Sequence, residues 1–113
     1  MTVRDIEEYG ADTAQGIIRC MNNEGLYIRL VKMLAVDDNF SKLSDSIDKG
    51  DLSTAFEAAH AIKGSSGTRA ITPIFEPICE ITELLRARTE TDYSALLNTI
   101  TEKRDELLRI CEA

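Results

Sequence analysis

The 113-residue sequence predicts an all-α protein: an antiparallel up-and-down four-helix bundle with additional short helical segments at its amino end. Apolar residues recur at intervals of three and four along nearly every segment, which is the spacing of one helix face. Convincing alternation with a period of two, typical of strands, is missing. Connections between the segments are short, so consecutive helices should be antiparallel neighbours. At this length we expect a single domain over residues 1–113, with one hydrophobic core.

The amino-terminal third is predicted to form short helices. A first piece spans about Val3 to Tyr9 and ends at Gly10. Asp12 or Thr13 can cap a second helix, and Asn23 can cap a third, because their side-chain oxygens accept hydrogen bonds from free backbone N–H groups. The apolar residues of these two helices, expected to share an inner side, are Ile17, Ile18, Met21, Leu26, Leu30, Met33 and Leu34.

Two longer helices are predicted in the middle of the chain. Asp37 starts the first of them, and Gly50 is well placed to end it. Asp51 can cap the second, which should run from Leu52 to about Thr68. The apolar residues of the first fall at helical spacing and are Phe40, Leu43 and Ile47.

The last two helices are also marked by their ends. Thr72 and Pro73 resemble a cap followed by a proline at the first helical position, and this helix should reach about residue 88. Pro77 removes a backbone donor and crowds the preceding turn, so we expect the helix to start later or to bend there. Thr91 or Asp92 can cap the final helix. The inner stripes of the two helices are Ile74, Ile78, Ile81 and Leu85, and Leu96, Leu97, Ile100, Leu107, Leu108 and Cys111.

The composition limits the classes of partner. With 20 acidic against 13 basic residues, the formal net charge of −7 repels both a phosphate backbone and an anionic membrane. We therefore expect neither a nucleic-acid nor a membrane partner. The amino terminus has no apolar stretch like that of a signal peptide. Cys20, Cys79 and Cys111 are odd in number and widely separated. A cytoplasmic protein with reduced, packed cysteines is the simplest interpretation.

His60 is the only histidine, so any imidazole chemistry depends on it. On a helical wheel of the segment Leu52 to Thr68, His60 lies about a quarter turn from the middle of the apolar stripe, and its ring should be partly exposed. Lys63 follows three residues later and can point its ammonium toward a group attached to the imidazole. The residues of the stripe, expected to face the core, are Leu52, Ala55, Phe56, Ala59, Ile62 and Ser66.

Two glycines beyond His60 are informative. Gly64 and Gly67 lie one and two turns further along its face, and each costs about 1 kcal/mol relative to alanine inside a helix. A lone exposed histidine is more often a solvated surface residue, and the glycines could mark a fraying helix end. An exposed histidine, a cation and two glycines on one strip together indicate a flat surface that another protein approaches.

The stretch His60–Ser66, HAIKGSS, resembles the H-x-[LI]-K-G-x-[SA] signature of histidine-phosphotransfer (HPt) domains. The resemblance implies that His60 accepts a phosphoryl group on its imidazole and that Lys63 assists electrostatically. It also implies that Gly64 gives a receiver domain room and that Ser65 hydrogen-bonds near the phosphoryl site. The docking flank implied by the resemblance and the wheel consists of Gly64, Ser65, Gly67 and Arg86.

The following helix and its connection are less typical of the family. Several members direct polar side chains of the next helix toward the histidine, and Thr82 and Arg86 stand near the matching positions; Arg86 would be a second cation. Many members have a glycine ten residues after the histidine, where this chain has Ala70. Together with Pro73 and Pro77, this makes the path between the two central helices hard to predict.

The implied function is a phosphorelay carrier. His60 would receive the group from a phospho-aspartyl receiver domain, or from a hybrid histidine kinase, and pass it to another receiver. The sequence shows no Gly-rich nucleotide loop and no cluster of metal-ligand spacing, so we expect no cofactor, no metal and no kinase activity, in a monomeric protein. Two alternatives stay open: a helical adaptor that binds partners without phosphorylation, and a small enzyme with His60 as general base, which would need a concave pocket.

Overall fold

The computed structural model describes residues 1–112, and these form seven helices and no strand. As the sequence predicts, additional helices at the amino end precede the four that build the bundle; two of them are short, with seven residues each, and the third has twelve. The helices are α1 (Val3–Tyr9), α2 (Thr13–Arg19), α3 (Glu24–Ala35), α4 (Asn39–Asp48), α5 (Leu52–Thr68), α6 (Thr72–Arg86) and α7 (Ser94–Glu112). Within residues 1–112, no helix combines the length and the apolar character needed to span a bilayer.

Side-chain caps define where most helices begin. The Asp12, Asn23 and Asp51 side chains each accept a hydrogen bond from the backbone N–H three residues later, at 3.2, 3.0 and 3.1 Å, so these three predicted caps are confirmed. The predicted cap at Thr72 is wrong by one residue. Ile71 is the cap of α6 without a side-chain bond, and Thr72 is already helical.

The central bundle is built from consecutive antiparallel helices. α4 packs against α5, α5 against α6, and α6 against α7. The α5–α6 pair shows its direction in two contacts: Lys63 meets Glu83, whereas Phe56, seven residues earlier, meets Arg86 further along α6. The apolar face predicted for α6 is confirmed, and α6 runs through Pro77 as one helix that starts no later than Thr72. The fully buried large residues that fill the core are Tyr27, Ile6, Leu34, Leu43, Ile62, Ile71, Ile74, Ile78, Ile81, Leu85, Ile100 and Leu107.

Helices α2 and α3 are tied to the end of the bundle where α5 turns into α6. The Tyr27 hydroxyl donates to the carbonyl of Arg69 at 3.0 Å, and the Arg69 Nε donates back to the carbonyl of Leu30 at 2.8 Å. The Asp12 N–H donates to the carbonyl of Ala70 at 3.0 Å. Burial raises the pKa of Tyr27 to about 12, so the phenol stays neutral and keeps donating at ordinary pH. These bonds rigidly connect α2 and α3 to the α5–α6 turn.

Some apolar residues of the short helices do not face the core. Ile18 and Met21 are exposed, as is Met33 on α3, where the sequence analysis placed them inward. On α3 the fully buried positions are Tyr27, Val31, Leu34 and Ala35, so Leu34 is the one member of the predicted stripe that is fully buried. The inner side of α3 is therefore rotated from the predicted stripe, because Tyr27 packs and hydrogen-bonds against the α5–α6 turn.

Candidate functional site

His60 lies in the middle of α5 and its side chain is exposed, as predicted. One turn earlier, the Phe56 ring stacks on the imidazole with 5.7 Å between ring centroids and an angle of 18° between the planes. The Arg86 guanidinium of α6 lies 5.1 Å from the centre of the Phe56 ring, a distance at which a cation is attracted to an aromatic face. The imidazole is thus supported on one side by an aromatic ring that α6 holds in place.

The prediction that Phe56 faces the core is confirmed only in part, because its side chain packs against the core from the edge. The residue is only partly buried, and the buried stripe of α5 consists of Ala55, Ala58, Ala59, Ile62 and Ser66. Three alanines let α4 and α6 approach α5 closely, so the larger aromatic ring lies at the edge of the core instead. That edge position brings it to His60.

Three charged side chains form a chain of ion pairs beside His60. The Lys63 Nζ lies 3.8 Å from one carboxylate oxygen of Glu83, and the Arg86 Nε lies 3.5 Å from the other. All three groups are at least a third exposed, so the pairs contribute little to stability. Their effect is to keep two cations and one anion on the surface between α5 and α6, on the flank where Lys63 follows His60 by three residues.

The two glycines of α5 have different surroundings. Apart from its chain neighbours and its own helix backbone, a Cβ at Gly64 would meet no atom within 4 Å, so no packing contact requires a glycine there. A Cβ at Gly67 would lie 2.8 Å from Cε1 of Phe75, which is closer than packed carbons come. Gly67 therefore allows α6 to pack against the end of α5, whereas Gly64 leaves an open surface one turn from His60.

The hydroxyl groups near His60 are bonded to their own helices. Ser65 Oγ donates to the carbonyl of Ala61 at 2.7 Å, and Thr82 Oγ1 donates to the carbonyl of Ile78 at 2.6 Å. Thr82 is completely buried, so the expectation that it stands toward the histidine is wrong. Helix α6 instead presents Glu83 and Arg86 on the side of His60.

The surface around His60 is open rather than enclosed. A groove of about 340 Å³ between α5 and α6 passes Phe56 and Arg86 but is not lined by His60. A cavity of about 500 Å³ lies at the end of the bundle, between α4 and the connection from α6 to α7. Among residues 1–112 no group of three or more His, Cys, Asp or Glu side chains could hold a metal ion. An open flank suits a group exchanged between proteins better than a substrate that must be enclosed.

Two side chains of this site, Phe56 and Glu83, were not predicted to lie there from the sequence. Phe56 precedes His60 by four residues, and this spacing alone places both on one helix face; its apolar character had assigned it to the core. Glu83 belongs to another helix, and no spacing in the sequence relates it to Lys63.

Comparison with known families gives one match. The Hpt domain model matches residues 34–111, which include α4 to α6 and nearly all of α7. Searches of curated proteins and of solved structures found no match to the chain. The matched range covers more than half of the 113 residues and contains His60 and the side chains around it. The chain therefore belongs to the Hpt domain family, the histidine-phosphotransfer modules of two-component phosphorelays.

Proposed function

We propose that His60 accepts a phosphoryl group from a phospho-aspartyl receiver domain and passes it to the aspartate of another receiver. The observation that carries this proposal is the exposed imidazole in the middle of α5, with an open position at Gly64 one turn away. The side chain of Lys63 adds a cation on the same flank. A receiver has to bring its own active site up to the imidazole, and at Gly64 no side chain stands in its way.

The transfer is a substitution at phosphorus. The neutral imidazole uses the lone pair of one ring nitrogen to form a P–N bond, while the proton stays on the other nitrogen. The P–O bond to the aspartyl group breaks, and its electron pair leaves on the carboxylate. The reverse step regenerates His60 and a phospho-aspartate on a second receiver. Because the transferring group is anionic, a nearby cation such as Lys63 stabilises it.

The surrounding side chains have supporting roles in this proposal. The Phe56 ring limits the orientations of the imidazole, because the two rings are stacked. The docking flank comprises Gly64, Ser65 and Arg86, whereas Gly67, which the sequence placed there too, packs against Phe75. The partners are receiver domains, with a hybrid histidine kinase as a further donor, and the chain acts as a monomeric phosphocarrier with no kinase activity or cofactor of its own. It works in the cytoplasm, where such receivers lie.

The proposal is tested by transfer from radiolabelled phospho-receivers to the wild-type chain and to His60→Gln. We expect acid-labile, base-stable label on the wild-type chain and none on the variant, with unchanged thermal unfolding because residue 60 is exposed. Label that persists on His60→Gln would contradict the assignment of the acceptor. Absence of label from a broad panel of active receivers, with partner binding intact, would favour the phosphorylation-independent adaptor.

A further inference from the structure

Glu83 occupies a position that the proposed transfer does not explain. Its two carboxylate oxygens are divided between two cations: Lys63 at 3.8 Å on α5 and Arg86 at 3.5 Å on α6. The negative charge therefore lies on the flank to which an anionic phosphoryl group would be delivered. A carboxylate at such a place lowers the positive potential that Lys63 and Arg86 would otherwise provide.

The two ion pairs of Glu83 are weak enough for another anion to replace its carboxylate. The side chains of Lys63, Glu83 and Arg86 are 33%, 60% and 52% exposed, and neither distance is that of a short charge-assisted hydrogen bond. Exposed pairs of this kind contribute little to stability. A phosphoryl group carries more negative charge than one carboxylate. It can therefore displace Glu83 as the partner of Lys63.

We propose that Glu83 is a positioning residue that acts through Lys63 and Arg86: its carboxylate competes with the phosphoryl group for their charge. In the unphosphorylated protein the Glu83 carboxylate forms ion pairs with both cations. When a phosphoryl group arrives, its capture by Lys63 requires that this cation leave Glu83, so the phosphohistidine is stabilised less than two free cations would allow. A carrier benefits, because a group that binds too firmly is not passed on. The inference rests on the proposed role of His60.

The test uses a small-molecule donor, so that docking does not affect it. Phosphoramidate transfers its phosphoryl group to an imidazole nitrogen: the P–N bond to ammonia breaks, the P–N bond to His60 forms, and ammonia leaves. The rate is measured for the wild-type chain, Glu83→Gln and Glu80→Gln. Glu80 is the matched control, since it is exposed on the same helix and forms no ion pair within residues 1–112.

Glu83→Gln should accelerate phosphorylation about threefold over Glu80→Gln, which corresponds to the range of exposed ion pairs. Two further readouts separate competition for charge from a merely structural effect. The acceleration should shrink as salt is added, because exposed charges are screened. It should also fall in a Lys63→Gln background, because the cation released by the substitution is then absent.

Each outcome has a distinct meaning. Wild-type labelling on His60 with equal rates for Glu83→Gln and Glu80→Gln would overturn the role of Glu83 and leave the proposed function standing. A slower Glu83→Gln would also overturn it, because the carboxylate would then only orient Lys63. No label on wild-type His60 would contradict the proposed function itself, and the role of Glu83 with it.

Discussion

Helix α5 carries two glycines, Gly64 one turn after His60 and Gly67 next to its last residue, and the contacts around them differ. Around Gly64 the helix has an exposed face, and His60 lies one turn away. Around Gly67 the helix is covered: Phe75 packs against it, and Arg19 donates to its carbonyl oxygen. Two residues of one type, three positions apart, thus meet solvent in one case and the rest of the protein in the other.

This difference indicates that Gly64 leaves room for a partner protein, whereas Gly67 allows packing within the protein itself. Gly67 and Arg69 connect the bundle to α2 and α3. The Arg69 side chain donates a hydrogen bond to α3, and the Arg69 carbonyl accepts one from it. Gly64 has no such task, although a glycine inside a helix costs about 1 kcal/mol relative to alanine. A cost without a packing reason is expected where function requires an open surface.

The largest effect should come from placing alanine at each glycine in turn. Gly64→Ala should raise the free energy of unfolding by up to about 1 kcal/mol, because alanine favours the helix. At Gly67 the same gain is opposed by crowding against Phe75, which costs about 1–3 kcal/mol. Gly67→Ala should therefore be less stable than Gly64→Ala by about 1–3 kcal/mol in denaturant unfolding. Equal stabilities would show that Phe75 moves aside freely and would remove the distinction between the two positions.

A bulky side chain at Gly64 should affect transfer rather than stability. Gly64→Gln projects from the open surface beside His60, so it should slow phosphoryl transfer from a receiver about tenfold by preventing close docking. Transfer from phosphoramidate, which needs no docking, is the control and should change little. Normal transfer rates from the receiver would refute the steric role of Gly64.

The smallest effect concerns the turn after α5. Ala70 has a φ of +54°, a left-handed conformation that glycine adopts without the steric cost of a Cβ. Ala70→Gly should stabilise the protein by less than about 1 kcal/mol, since relief of strain exceeds the added flexibility of the unfolded chain. Thermal unfolding measures this gain, and transfer should be unaffected because Ala70 lies at the covered end of α5. A loss of stability would mean that the alanine methyl group packs favourably enough to offset its strain.

Most of the fold could be predicted from local patterns. The caps at Asp12, Asn23 and Asp51 and the buried face of α6 follow from side-chain chemistry and from helical periodicity, and both are properties of short segments. The inner side of α3 could not be found in this way, because Tyr27 is drawn inward by a bond to Arg69, forty-two positions away. The turn at Ala70 was uncertain because alanine rarely adopts the left-handed conformation that it has at this helix end, where the Ile71 N–H donates to the carbonyl of Ser66.

On α5 the spacing of the residues predicted the candidate site, whereas on α6 the family resemblance indicated Arg86 and nothing indicated Glu83. His60, Lys63 and Gly64 share one helix face, so their spacing alone brings them together. Phe56 follows the same rule but was assigned to the core, because an apolar residue at the edge of the apolar stripe can face either the core or the surface. Glu83 and Arg86 depend on how α6 is rotated against α5, which no pattern within one helix determines.

The central claim is that the imidazole of His60 carries the phosphoryl group. Because His60 is the only histidine, a long-range ¹H–¹⁵N spectrum of the ¹⁵N-labelled chain, prepared without a histidine tag, contains the imidazole signals of this ring alone. After transfer from a phospho-receiver, the account predicts a large shift of one ring nitrogen together with a single ³¹P signal of a phosphoramidate bond. An unchanged imidazole in a chain that has gained a phosphoryl group would contradict it.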